Sequence, residues 1–185
     1  LASAALYQTA GAYANLNKTN EAVKRYVKYI DENPEAKNLE RAFLNIIDAY
    51  RDEKNHKTAL QWAAKAQEKF KGEMGEAVAL FSQIRIHISQ ENWQNALNDL
   101  NRLKDMKNLG GVRIAGGTNR DEITFLRGFV LEKLGRIDEA VAVLYPLVGK
   151  YKNYYSWRSF ELLYDMKNSA MPPLPNNYSI PTGKL

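Results

Sequence analysis

The chain has 185 residues, 45% of them hydrophobic and 25% charged, with no cysteine and only two histidines. Such usage suits one folded domain, or one stack of small repeats, and argues against wholesale disorder. Mean hydropathy is −0.50 and no run of about 18 apolar residues occurs, so the sequence offers no bilayer-spanning helix. The missing cysteines exclude disulfides, thiol nucleophiles and thiolate metal sites, and they leave the redox compartment open.

The formal net charge is +5, from 26 basic and 21 acidic residues. The excess lies in residues 101–185 and is densest at Arg102, Lys104, Lys107, Arg113 and Arg120, with Asp105 the one acid among them. A patch of this kind attracts nucleic acid, anionic lipid or an acidic polymer, or is a solvated basic surface. No nucleic-acid reading motif accompanies it, which disfavours nucleic acid as the partner.

In chain order, the opening LASAALYQ reads as part of a helix. It lacks the basic and apolar regions of a signal peptide, and suggests a mature or excised fragment. Four phrases then recur: NKTNEA ending at Ala22, KNHKTA at Ala59, ENWQNA at Ala96 and GRIDEA at Ala140. The alanines are 37, 37 and 44 residues apart, a period that signals stacked helical hairpins. With each alanine at position 20 of a frame of about 34 residues, the repeats cover 3–36, 40–73, 77–110 and 121–154.

Other frame positions agree. Position 11 holds Tyr13, Tyr50, His87 and Leu131, and position 24 holds Tyr26, Ala63, Leu100 and Leu144. Positions 4, 8 and 11 share one helical face, as do 20, 24 and 27, so each repeat is two amphipathic helices. The turns between them, Asn15–Thr19, Glu53–Asn55, Gln90–Asn92 and Gly135–Asp138, are rich in capping and turn-forming residues. One insertion, 109–120, separates the third and fourth repeats; its four glycines predict a mobile loop, and Thr118 or Asn119 can cap the next helix.

These features resemble the tetratricopeptide repeat (TPR) family, in which positions 8 and 20 are small. Ala10 and Gly128 fit position 8, Ile47 and Ile84 depart from it, and Pro34 fits the terminal proline. The resemblance implies an all-α fold, a right-handed superhelical stack of helical hairpins, with 1–170 as the solenoid. A strongly aromatic helix over 153–168 is expected to cap its end, as every solenoid requires. The last segment, 171–185, holds four of the six prolines and reads as an extended linker or tail leading to a further region.

No catalytic, cofactor or metal site is legible. His56 and His87 have neither i,i+4 spacing nor a carboxylate at HExxH distance, and both fill packing positions of the frame. Dinucleotide, P-loop and GxSxG patterns are absent, and Arg136 with Glu139 is an ordinary helix-surface pair. What the frame does offer is an inner face lined by the first helix of each repeat. Tyr7, Arg41, Leu44, Asp48, Arg51, Val78, Phe81, Arg85, Phe125 and Phe129 fall on it, together with Gly11 and Ala14. Aromatics beside arginines suit a peptide, a sugar face or an acidic group; alternatively, the rings pack between neighbouring helices.

A second resemblance appears toward the C-terminus. Leu134, Gly135, Arg136, Glu139 and Ala140, then Tyr154, Tyr155, Ser156, Trp157 and Arg158, then Pro172, Pro173, Leu174 and Pro175 resemble the superhelical, non-catalytic region of soluble lytic murein transglycosylases. Ser156 and Ser159 stand where that family has glycine and alanine. This resemblance implies a non-catalytic scaffold in the bacterial periplasm or envelope, bound to peptidoglycan or protein and placing a downstream catalytic domain. The family's catalytic Glu-Ser and Gly-Leu-Met-Gln stretches are absent here. The alternative is a generic TPR module binding proteins in envelope assembly or polysaccharide export.

Overall fold

A computed structural model describes residues 2–111, 114–149 and 153–166. Among these residues it is all-α, with nine helices and no strand. They are α1 (Ala2–Asn15), α2 (Thr19–Glu32), α3 (Leu39–Asp52), α4 (His56–Lys69), α5 (Met74–Ser89), α6 (Trp93–Leu103), α7 (Arg120–Lys133), α8 (Ile137–Val148) and α9 (Tyr154–Asp165). Each helix packs against the next in sequence, and α3 also touches α5, so hairpins stack with α1, α3, α5 and α7 as their first members. The proline-rich segment 171–185 lies outside the described residues.

The alanine period is the spine of the stack. Ala22, Ala59, Ala96 and Ala140 are all fully buried, one in each second helix. A methyl group there lets the paired helices close on one another. Beyond it, Tyr26, Ala63, Leu100 and Leu144 line the hairpin interior, and all are buried. Burying each leucine contributes about 1.5–3 kcal/mol.

Every hairpin turns in the same way. The residue at frame position 15 has a positive φ in all four: Asn17 (55°), Lys54 (59°), Glu91 (56°) and Gly135 (72°). Lys18 N–H then bonds Tyr13 O (2.9 Å), Asn55 bonds Tyr50 (2.8 Å), Asn92 bonds His87 (2.8 Å) and Arg136 bonds Leu131 (2.9 Å). This is the Schellman arrangement, which satisfies the last carbonyls of the first helix. Only the fourth hairpin uses the residue type that adopts this backbone without steric cost. Asn55, Asn119 and Asn153 cap α4, α7 and α9 by accepting from Thr58, Glu122 and Ser156 N–H.

The insertion differs from the mobile loop that its glycines suggest. Its two ends are joined: Thr118 N–H bonds Leu109 O at 2.9 Å, and Gly111 N–H bonds Thr118 O at 3.1 Å. Leu109 and Thr118 are buried, so the described part is a closed turn anchored in the core. The glycines serve close approach and left-handed backbone within that turn. At Gly116 φ is +82° and a Cβ would stand 3.1 Å from Val78 Cγ1.

Beyond the fourth hairpin, α9 packs on α8 and α7. Leu163 joins Leu144 and Val148 in one buried cluster. Ser156 and Ser159 are buried where α9 crosses its neighbours, and Ser156 Oγ donates to Leu147 O at 2.8 Å. Asn153 also donates to Asp121 at 2.9 Å, tying α9 back to α7.

Candidate functional site

The inner face is polar and basic around α3 and α5. Arg51 lies 2.8 Å from Asp48 and 3.3 Å from Asp52, while Arg41 and Arg85 are exposed. Burial pushes the Asp48 carboxyl above its ordinary range, against the pull of Arg51 and, more weakly, of Arg85 and Arg41, while Asp52 adds to the push. The Arg85 guanidinium rests 4.6 Å from the centre of the Phe81 ring, which holds its charge at the surface.

Next to Asp48 a cleft of about 370 Å³ runs between the first two repeats, bordered by Gly11, Ala14, Tyr26, Asn45, Asp48 and Asp52. Gly11 and Ala14 leave this space because their side chains end at or before Cβ. Asn45 Nδ2 donates to the Tyr26 hydroxyl at 2.8 Å and fixes the cleft floor.

On the C-terminal side the rings of Phe125 and Phe129 stack at 6.5 Å, Trp93 meets Phe129 edge-on at 5.9 Å, and Tyr155 lies 6.1 Å from Phe125. The Tyr155 pKa is pushed up to about 12, first by burial and then by the charge of the Glu122 carboxylate. Glu122 accepts from Thr118 Oγ1 at 2.8 Å.

Arg41 and Arg85 stay exposed at their expected inner positions, while the expected aromatic ones are buried or packed on other rings. Phe81 is 1% exposed and belongs to the core. Tyr7 packs against Tyr26 (5.7 Å) and Tyr29 (5.2 Å). Leu44 is half-buried and Val78 fully so. Phe125 and Phe129 are half-buried in the ring cluster. A ring between stacked helices removes more apolar area from water than one facing a groove, and packing wins.

The basic patch is partly engaged. Arg102 contacts Asp99 and Gln67, each at 3.4 Å, Lys104 lies 3.8 Å from Asp105, and Arg120 donates to Met106 O at 2.7 Å. Lys107 is exposed, and Arg113 lies outside the described residues. Among the described residues no cluster of histidine and carboxylates could hold a metal, and no helix is long and apolar enough to cross a membrane.

Periodicity missed a partly buried polar chain between α4, α5 and α6. Gln67 donates to Gln83 (2.9 Å), Gln83 donates to Asp99 (2.7 Å), and His87 Nε2 lies 3.7 Å from the same carboxylate. The available signal was Asp99 at frame position 23, where the other repeats hold Arg25, Trp62 and Val143.

Comparison with known proteins now has a geometry to match. The tetratricopeptide repeat family matches residues 4–36, the first hairpin. A tetratricopeptide repeat protein from Parabacteroides merdae superposes with a TM-score of 0.67 at 14% identity, covering 89% of this chain and 59% of that one. This chain is a TPR-like helical domain. The TPR-like repeats of a protein described as a kinesin light chain from Podosopora anserina give a TM-score of 0.61 at 13% identity, covering 86% of this chain and 83% of theirs. BtubC (BKLC) from P. vanneervenii gives 0.61 at 15% identity, covering 99% and 71%. At these identities the likeness is one of fold. The TPR-like domain thus spans less than two thirds of the P. merdae protein. No curated protein sequence matches it, and nothing in these comparisons links it to lytic transglycosylases.

Proposed function

We propose that this TPR-like domain is a protein-interaction scaffold that holds an extended, acidic segment of a partner along its inner face. The observation that supports the reading is the set of guanidinium groups at expected inner positions of α3 and α5: Arg41 and Arg85 are exposed, and Arg51 lies beside Asp48. Guanidinium groups of this density suit carboxylate side chains, which they can engage through paired hydrogen bonds.

The test uses the whole chain and random 12-residue peptides displayed on a carrier. Acidic sequences should be selected, and replacing Arg41, Arg51 and Arg85 with serine should weaken them by about tenfold or more, with helicity unchanged. Equal affinity after the triple change, or no selected peptide at all, rejects the reading.

A narrower reading, a peptidoglycan-associated scaffold of the bacterial envelope placed beside a lytic catalytic domain, is favoured by one feature. Tyr154 opens α9 with 64% of its surface exposed, within the segment Tyr154–Arg158 that carries the resemblance. Sedimentation with purified peptidoglycan that is lost in Tyr154→Ser supports it; no sedimentation overturns it.

A further inference from the structure

We infer that the inner face takes a partner segment carrying both signs of charge: acidic residues against the arginines of α3 and α5, and one lysine or arginine seated at Glu122 beside the rings of α7 and α9. The sign of the inner face changes along the stack. Frame positions 2 and 12 hold Arg41 and Arg51 on α3, but Glu122 and Glu132 on α7. Position 9 runs from Asp48 on α3 through Arg85 on α5 to Phe129 on α7. Arg51 offsets Asp48 at 2.8 Å, and the exposed Arg41 and Arg85 leave the α3 and α5 side positive.

The α7 side is built to hold cations. Phe125 and Phe129 stack at 6.5 Å and Tyr155 lies 6.1 Å from Phe125, and all three are half-buried, so part of each ring meets solvent. The chain's own cations already rest on these rings: Lys133 Nζ is 5.3 Å from the centre of Phe129, and Arg158 Cζ is 5.9 Å from that of Phe125. Each has a carboxylate of its own, Glu132 at 3.2 Å and Glu161 at 2.6 Å. Glu122 instead accepts from the neutral Thr118 hydroxyl at 2.8 Å, which leaves its charge to a partner's cation. The ring faces add to that attraction, and an acidic residue in the same place is repelled. The two sides adjoin at α9, where the Glu122 charge raises the Tyr155 pKa and the Arg85 charge works against it. Neighbouring helix axes lie about 9 Å apart and an extended chain advances about 3.3 Å per residue. The basic residue therefore falls about three residues from an acid on Arg85 and about six from one on Arg41. This deepens the scaffold reading above and rests on it.

The experiment offers the whole chain the same random 12-residue peptides. The acidic peptides selected should carry a lysine or arginine about three to six residues from their acidic group. One of them is then remade with that basic residue changed to glutamate. Its affinity for the unmodified chain should fall by about tenfold or more, and Glu122→Lys should reverse the preference. Acidic peptides without a basic residue at this spacing, or an exchange that costs nothing, overturn the cation seat and leave the scaffold reading intact. No selected peptide overturns both. If Glu122→Lys does not fold, Glu122→Gln keeps an acceptor for Thr118. In that variant the exchange should cost less than about threefold, and an undiminished tenfold loss also overturns the seat.

Discussion

His87 Nε2 lies 3.7 Å from Asp99 Oδ2 inside the solenoid, and both side chains are about nine-tenths buried. The other imidazole nitrogen, Nδ1, is buried without a hydrogen-bond partner. Burial lowers the His87 pKa below the ordinary 6.5, and the Asp99 charge offsets part of that shift. Asp99 also binds Gln83 and Arg102, so the carboxylate is already shared.

The sign of the pH dependence follows. A histidine whose folded pKa is depressed favours the folded state fully above the unfolded value of 6.5, and that contribution is lost as pH falls through the lowered folded value. Urea unfolding of the wild type should weaken between neutral pH and mildly acidic pH more than that of His87→Gln. Parallel pH profiles for the two proteins would show that His87 is not the group responsible.

Gly128 and Leu144 set the spacing of the last hairpin. A Cβ on residue 128 would stand 2.3 Å from Leu144 Cγ, and Leu144 is fully buried. Gly128→Ala should therefore destabilise the fold by about 1–3 kcal/mol, despite its better helix propensity. Adding Leu144→Ala should make the two changes markedly non-additive in a double-mutant cycle. Simple additivity would contradict the contact.

Two turns carry an avoidable cost. Lys54 and Glu91 occupy left-handed backbone at φ 59° and 56°, where the fourth hairpin has Gly135. Lys54→Gly and Glu91→Gly should each raise stability by about 0.5–1 kcal/mol, the left-handed strain relieved less the entropy that glycine loses. Gly135→Ala should lower it by about 1–2 kcal/mol. Chemical denaturation midpoints at constant m-value decide both directions.

Ser159 is fully buried in α9, and its hydroxyl has no partner among the described residues. Ser159→Ala should stabilise the chain by about 0.5–2 kcal/mol, by removing an unsatisfied polar group and improving helix propensity. A loss of stability on thermal unfolding would mean that the hydroxyl is satisfied after all.

The alanine spacing, the helix pairing and the turn composition were legible in the chain because they are local. Ala22, Ala59, Ala96 and Ala140 recur at a period that only stacked hairpins can use, and a capping residue acts within its own turn. The arginine line on the inner face was legible for the same reason, since charged side chains stay at the surface wherever their helices point.

Direction of the large apolar side chains was decided elsewhere. Phe81 and Tyr7 share the inward register with Arg85 and Arg41, yet they lie in the core or against other tyrosines. Which way a ring turns depends on the gap left by the neighbouring repeat, and no period of one helix contains that gap. The partly buried chain from Gln67 through Gln83 to Asp99 and His87 likewise exists only across three packed helices. The insertion is the clearest case. Its glycines read as freedom in the chain, but the backbone bonds between 109–111 and 118 and the bond of Thr118 to Glu122 tie its described ends together and to α7. Sequence period therefore settles the stack of hairpins, while long-range packing settles which side chains of the inward register are buried.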